Sequence, residues 1–423
     1  MSSNLLKKWQ TRTFILCWLV YASVYFGRVN ISVAIPEIQS AFGWSKTQVG
    51  LIGSVFFWTY GIGHLINGYI GDKVSSRIYI FVGVVLIAIT NIFFGFGTSL
   101  ILMTILWALN GFFQSMVWGP MIKTLSYWYE GSKRSKIATA ISTSMVGGYV
   151  LAWGVAGKIL EQTNWKWVFW APGIFLLIYA VAWYIGIRNH PKDVGLEDPN
   201  ENNFAEEAKE DNSEYSSMTL LQIINKSKLW FIVVACAAKG IMKEGISLWG
   251  PTFLMETQGL NLKSTIGLIL LIPFMNFVGM MFAGWLNKKY KNQDQLTVIT
   301  LLLISIVTNL CLVKIGQVSA ILGLLFLGLS SAMMYGSNTI LLGSIPMKFA
   351  KYNKTSSVAG FLDFTSYLAA GLTAPLTGLI VDRFGWNGVL ILWISVATLG
   401  IAAMLINQHY EKVQKKDIVN VEG

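Results

Sequence analysis

Arg28 stands inside the stretch "YFGRVNISVAIPEI", part of an apolar run that opens at Thr13 and meets no other charge until Glu37. A guanidinium stays charged at any physiological pH, and its planar fork grips two oxygens of a phosphate or carboxylate at once. Lys243 lies in a second apolar run. Lys239 stands one turn earlier on the same helical face, and Glu244 follows directly, about 100° around the helix. Three ionisable groups so close together suit the wall of an anion cavity, in which the Glu244 carboxylate either neutralises a lysine or carries a proton. Asp363 suits pairing with Lys239 or Lys243, or proton transfer, and the imidazole of His64 titrates near neutrality. Each of these groups also has a plainer reading as a charge pair or polar bridge between neighbouring helices.

The chemistry on offer is binding and proton movement. The chain has no Walker loop and no HExxH, and its three histidines form no Ser-His-Asp set; only His64 lies in an apolar run. Cys17, Cys236 and Cys311 stand singly inside apolar runs without CxxC spacing, as small buried residues do, so neither a disulfide framework nor a metal site is expected. The reading is of a protein that is not an enzyme, needs no cofactor, and takes its energy from a gradient.

The elements that carry these residues follow from composition. Of 423 residues, 54% are hydrophobic and only 13% charged, with a mean hydropathy of +0.55; soluble proteins carry about 25% charged residues. Apolar stretches near the length that crosses ~30 Å of hydrocarbon as a helix recur throughout. Twelve spans are expected, near 12–35, 47–71, 77–97, 99–129, 134–160, 166–187, 229–256, 262–287, 294–315, 318–347, 353–381 and 386–406. The first lacks a small-residue cleavage site and reads as a retained helix. Arg28 then falls ~24 Å along it, near mid-membrane, and Asp363 ~15 Å along the eleventh. A central arginine costs ~2.5–3.5 kcal/mol to insert, so it is expected to face a water-filled cavity or an anion.

Charge sets the sidedness. With the N-terminus inside, the external loops hold only Lys46, Lys158, Lys166, Lys263, Lys314 and Arg383 of the 32 Lys and Arg residues, which predicts a multi-pass cell-membrane protein with both termini cytoplasmic. The net charge of +11 is thereby a topology signal, and no nucleic-acid partner is expected. Residues 188–228, which include "NHPKDVGLEDPNENNFAEEAKEDNSEY", are polar and acidic and read as a cytoplasmic linker between an N-terminal half (1–187) and a C-terminal half (229–406), with a tail at 407–423.

The halves match each other. "RVNISVAIP" (28–36) answers "KEGISLWGP" (243–251), "GYIGDKVSSR" (68–77) answers "GWLNKKYKNQ" (284–293), and "GKILEQTNW" (157–165) answers "GLIVDRFGW" (378–386), at offsets of 215, 216 and 221 residues. Such constancy indicates a duplicated six-helix unit, and parallel repeats of this kind hold a substrate near the bilayer midplane between the halves.

"GYIGDKVSSR" resembles the loop motif between the second and third helices of major facilitator transporters: Gly, three residues, Asp, a cation, then Arg. From end to end, the chain further resembles the organophosphate:phosphate antiporters, which include the bacterial glycerol-3-phosphate and hexose-phosphate transporters. The matching segments are "YFGRVN", "GFFQSMVWGPMIKTLSYWY", "NKTSSVAGF" and "GLIVDRFGW". The resemblance implies the all-α major facilitator fold of twelve transmembrane helices in two pseudo-symmetric halves. It makes Arg28 one of two cations that bind substrate phosphate and Lys243 the other, where the family has Arg; lysine keeps the charge and loses the fork. His64 stands where the family usually has Lys, and Ser144 where it has His. Tyr21, Tyr25, Tyr60, Tyr335 and Tyr367 match aromatic cavity positions, and Gln114 and Trp118 are similar cases. Asp72, Lys73 and Arg77 match a cytoplasmic gate. The function implied is exchange of an organic phosphate for inorganic phosphate by a monomer in the lipid bilayer. Two alternatives stay open. "RVNISVA" also resembles the anion:cation symporters, which implies proton-coupled uptake of an anion such as a sugar acid, and some relatives of the hexose-phosphate transporters are sensors of phosphorylated sugars.

Overall fold

The computed structural model describes residues 2–129, 134–197, 220–316, 318–349 and 355–421, and every regular element among the described residues is helical. Two compact units divide the chain: Met1–Asn212 with Leu262–Pro273, and Ser213–Asn261 with Phe274–Gly423. Leu262–Pro273 belongs with the first unit because Ile266 packs on Gly157.

In the first unit the opening span is two helices, Ser2–Val29 and Ile31–Phe42, which meet at Asn30. Hydropathy marks where a span enters the membrane, whereas the helix itself already begins ten residues earlier than that mark, at Ser2. Lys46–Lys73, Ser76–Gly95 and Leu100–Trp128 follow as the second to fourth spans. The fifth runs through Arg134–Tyr149, a π-helical turn at Val150–Val155, and Ala156–Gln162; the sixth is Trp167–Gly186. The short connections are closed by side chains. Ser45 and Gln48 form a reciprocal capping box at the start of the second span, and Ser99 caps the fourth through the Leu102 amide, so amides that the helix leaves unpaired are satisfied.

In the second unit Leu220–Lys226 bends by 95° into the seventh span, Leu229–Gln258. The eighth span begins in the first unit, with Leu262–Ile269 and the first residues of Leu271–Lys289, and its remainder belongs to the second; the ninth is Asp294–Ile315, and the tenth Ala320–Thr339 continued by a π-helical turn at Ile340–Ser344 and by Ile345–Met347. Among the described residues, ten helices are long and apolar enough to cross a membrane, and an eleventh if the bent pair is one span. The difference from twelve lies in the last helix, Thr355–Val421, whose apolar part Ser357–Tyr410 spans 54 residues. That is more than twice the ~20 residues of one crossing. Gly385 interrupts it with φ 69° and ψ −176°. Ser366 before this glycine and Gly400 after it both lie against the seventh span, at Gly240 and Ala238. The chain therefore reverses at Gly385, and the run is two crossings.

The duplication read from sequence has a structural counterpart. Trp165 packs edge-on against Phe42, at the end of the first span, with ring centroids 5.7 Å apart. Trp386, its repeat partner, packs edge-on against Phe253 at 5.2 Å and donates its indole N–H to Glu256 Oε2 at 2.9 Å, at the end of the seventh. Each unit thus fastens its fifth-to-sixth or eleventh-to-twelfth turn onto its opening span.

Candidate functional site

In the first unit Arg28 is 7% exposed and lies one residue before the end of the first helix. Its guanidinium carbon sits 4.3 Å from the ring centre of Tyr60, 5.2 Å from Tyr25 and 5.4 Å from Phe56. Ring faces are negative, so they stabilise a desolvated cation by ~2 kcal/mol each at best, and they leave its N–H groups to other partners. The rings continue outward. Tyr25 meets Tyr21 at 5.3 Å and Tyr149 at 5.5 Å, Tyr21 meets Trp118 at 4.6 Å, and Tyr60 meets His64 edge-on at 4.4 Å. Arg28, Tyr25, Tyr60, His64 and Tyr21 are therefore brought together.

Gln114 and Ser144 are buried, and each donates a hydrogen bond to backbone. Gln114 Nε2 donates to the Val24 carbonyl at 2.9 Å, and the Ser144 hydroxyl donates to Ile141 of its own helix. Gly148 lets the fifth span approach the first, since a Cβ there would stand 2.9 Å from Tyr25 Cγ and 3.1 Å from the Ala22 carbonyl oxygen.

Sequence reasoning missed the amides that hold Arg28 in place. Asn91 and Asn110 each donate to the Gly27 carbonyl at 2.9 Å, and Asn30 donates to Asn91 Oδ1 at 3.1 Å and to the Val168 carbonyl at 2.8 Å. Side chains from the third and fourth spans so satisfy a carbonyl beside the break at Asn30, with no added charge. Tyr149, the last residue before the π-helical turn, was also missed, as was Trp153 within it, whose indole donates to Ser32 Oγ at 2.9 Å. Inserted π turns often mark functional positions in helices, but composition does not signal them. Either Asn91→Leu or Asn110→Leu alone leaves one donor on Gly27, and we expect a loss of ~1 kcal/mol. The double variant orphans the carbonyl and is expected to lose more than the sum; thermal melts in detergent across the four proteins measure the coupling.

In the second unit Lys243 and Glu244 form a buried ion pair. Lys243 Nζ lies 5.0 Å from the ring centre of Tyr335 and 6.0 Å from that of Tyr367. Lys239 shares the helical face but has a different partner, the Asn338 amide oxygen at 2.9 Å. Asp363 is half-buried on the eleventh span. Asn338 was not anticipated; it lies two residues before the π turn at Ile340–Ser344. Each unit thus presents a buried cation from its opening span framed by tyrosine rings, with Arg28 and Lys243 as repeat partners.

The loop motif is tied within its own unit. Arg77 Nε donates to the Tyr184 carbonyl at 2.7 Å with its guanidinium over that ring, and Lys73 bonds the Tyr69 hydroxyl. Lys123, which sequence reasoning passed over, donates to the Gly71 carbonyl at 3.0 Å. The side chain of Asp72 lies outside the described residues.

The long helices among the described residues are apolar enough to cross a membrane, and each unit buries a cation among aromatic rings. The chain belongs to the Major Facilitator Superfamily, whose family model matches residues 17–372. Among its relatives, the probable hexose phosphate transport protein of Chlamydia pneumoniae is 26% identical, with 94% of this chain and 91% of the relative covered. The glycerol-3-phosphate transporter of Bacillus subtilis (strain 168) is 27% identical over 95% and 92%, and the membrane sensor protein UhpC of Escherichia coli (strain K12) 25% over 94% and 91%. A bacterial homologue of the human lysosomal transporter Spinster, solved inward-facing and occupied, superposes with a TM-score of 0.73 at 15% identity, covering 95% of this chain and 97% of that one, and shares the fold.

Proposed function

We propose that the chain transports organic phosphates, sugar phosphate or glycerol 3-phosphate, in exchange for inorganic phosphate, by alternating access in the cell membrane with both termini cytoplasmic. The observation that carries this reading is the buried Arg28 held among Tyr25, Phe56 and Tyr60. A guanidinium beside aromatic rings keeps its charge in a buried place, and its bidentate fork suits a phosphate better than a point charge does. Lys243 supplies the second positive charge. Relatives named for hexose phosphate and glycerol-3-phosphate transport support the substrate class. Tyr21, Tyr60, Tyr335, Tyr367 and His64 contribute rings and polar tips toward the substrate, while Gln114 and Ser144 serve by holding backbone. Asp72, Lys73 and Arg77 bias one facing state.

Proteoliposomes loaded with labelled phosphate test the exchange. External sugar phosphates are expected to drive label out, and collapse of the pH gradient to leave the rate unchanged. If internal phosphate has no stimulating effect and uptake stops with the gradient, a proton-coupled symporter of a sugar acid replaces this reading, with Glu244, Asp363 or His64 as the proton carrier. The relative named as a membrane sensor favours one other reading, a receptor for phosphorylated sugars. A receptor would bind sugar phosphate in the same assay without moving label.

A further inference from the structure

A groove of about 590 Å³ opens on the outside of the first unit, between the opening and sixth spans and near the N-terminal end of the first. Lys8 and Arg12, both exposed, line it from the first helix. Below them its wall is apolar: Ile15 and Leu16 on the first span, Ala182 and Ile185 on the sixth. Ile15 is 50% exposed and Ile185 62%, so this wall faces the hydrocarbon. The floor is Gly186, where a Cβ would come within 2.9 Å of Leu16 Cδ1. Arg12 lies with its guanidinium 4.7 Å from the ring centre of Trp9, and Trp9 stacks on Trp128 at 5.9 Å. Tryptophan in such a place marks the interfacial layer of a bilayer.

The order along the groove is two cations at headgroup depth, then about one helical turn of exposed aliphatic side chains. It matches one molecule type, with a negative headgroup at one end and an acyl chain at the other. We propose that the groove between the first and sixth spans holds an anionic phospholipid, its phosphate on Lys8 and Arg12 and an acyl chain along Ile15, Leu16, Ala182 and Ile185. A free anion would use the two cations but leave the aliphatic wall without a role. A zwitterionic lipid would use the wall but gain little from the charges, because its own ammonium lies beside its phosphate.

Native mass spectrometry of the full chain, purified in detergent and offered equimolar dioleoyl phosphatidylglycerol and dioleoyl phosphatidylcholine, tests this. Two cations near an anionic headgroup favour it by about an order of magnitude or more, so the wild type is expected to retain phosphatidylglycerol at least about tenfold over phosphatidylcholine. Lys8→Gln with Arg12→Gln is expected to bring the two lipids to parity, and Gly186→Leu to reduce retention of both by pushing Leu16 into the groove. Lys158→Gln with Lys166→Gln, exposed cations at the far end of the bundle, is expected to keep the preference. Equal retention of the two lipids by the wild type, or an undiminished preference in Lys8→Gln/Arg12→Gln, overturns the proposal. So does displacement of phosphatidylglycerol by millimolar inorganic phosphate, which would make the site one for a free anion. Because the readout is lipid retention, its failure leaves the transport reading standing.

Discussion

Arg28→Ala is expected to reduce exchange of labelled phosphate in proteoliposomes to the level of empty vesicles, with the protein still folded. The side chain lies at the end of the first helix, and the neutral amides of Asn91 and Asn110 hold the backbone there from other helices. Alanine therefore removes the charge without dismantling its support. Two charge-assisted hydrogen bonds to substrate, at ~1.5–3 kcal/mol each, correspond to a loss of roughly two to four orders of magnitude in affinity. Arg28→Lys keeps the charge but offers a single ammonium in place of the fork, and is expected to retain roughly a tenth of the exchange. Wild-type exchange by Arg28→Ala at matched expression would remove Arg28 from the site.

Lys243→Met is expected to be the most destabilising single change in the second unit. It leaves the Glu244 carboxylate buried without its cation, and breaking such a pair costs ~3–5 kcal/mol. Adding Glu244→Gln removes the stranded charge, so the double variant is expected to recover most of the melting temperature in detergent while exchange stays lost. Lys243→Arg keeps the pair and restores a fork, and is expected to transport. The comparison separates a structural pair from a substrate cation. Were the double variant to recover transport along with stability, Lys243 would serve folding only.

The charged residues were legible because a cost announces them. Arg28 and Lys243 interrupt apolar runs, and only function or pairing keeps a charge there. Their tyrosine frames were legible only through resemblance to a family, since a tyrosine in a transmembrane helix is ordinary packing. The amides were not legible. Asn91, Asn110 and Asn338 are uncharged, and nothing in a single sequence says which backbone carbonyl or which lysine an asparagine reaches from another helix. The break at Asn30 was hidden for a related reason: the nearest proline, Pro36, lies six residues later, inside the second helix of the span. Glu244 was readable either as neutralising a lysine or as carrying a proton, and the structure shows it paired with Lys243. Hydropathy breaks between the last two crossings although the helix is interrupted there only at Gly385, because the turn between them is a single residue.

That turn bears on how the protein is made. A backbone at φ 69° and ψ −176° is open essentially to glycine alone, and Trp386, the next residue, is fixed to Glu256. With a single residue between them, the eleventh and twelfth crossings are expected to insert together as a hairpin and to dock on the seventh span as one piece. The same tightness denies a protease or an inserted epitope any purchase at Gly385, so a probe of sidedness on that face of the membrane belongs in another loop.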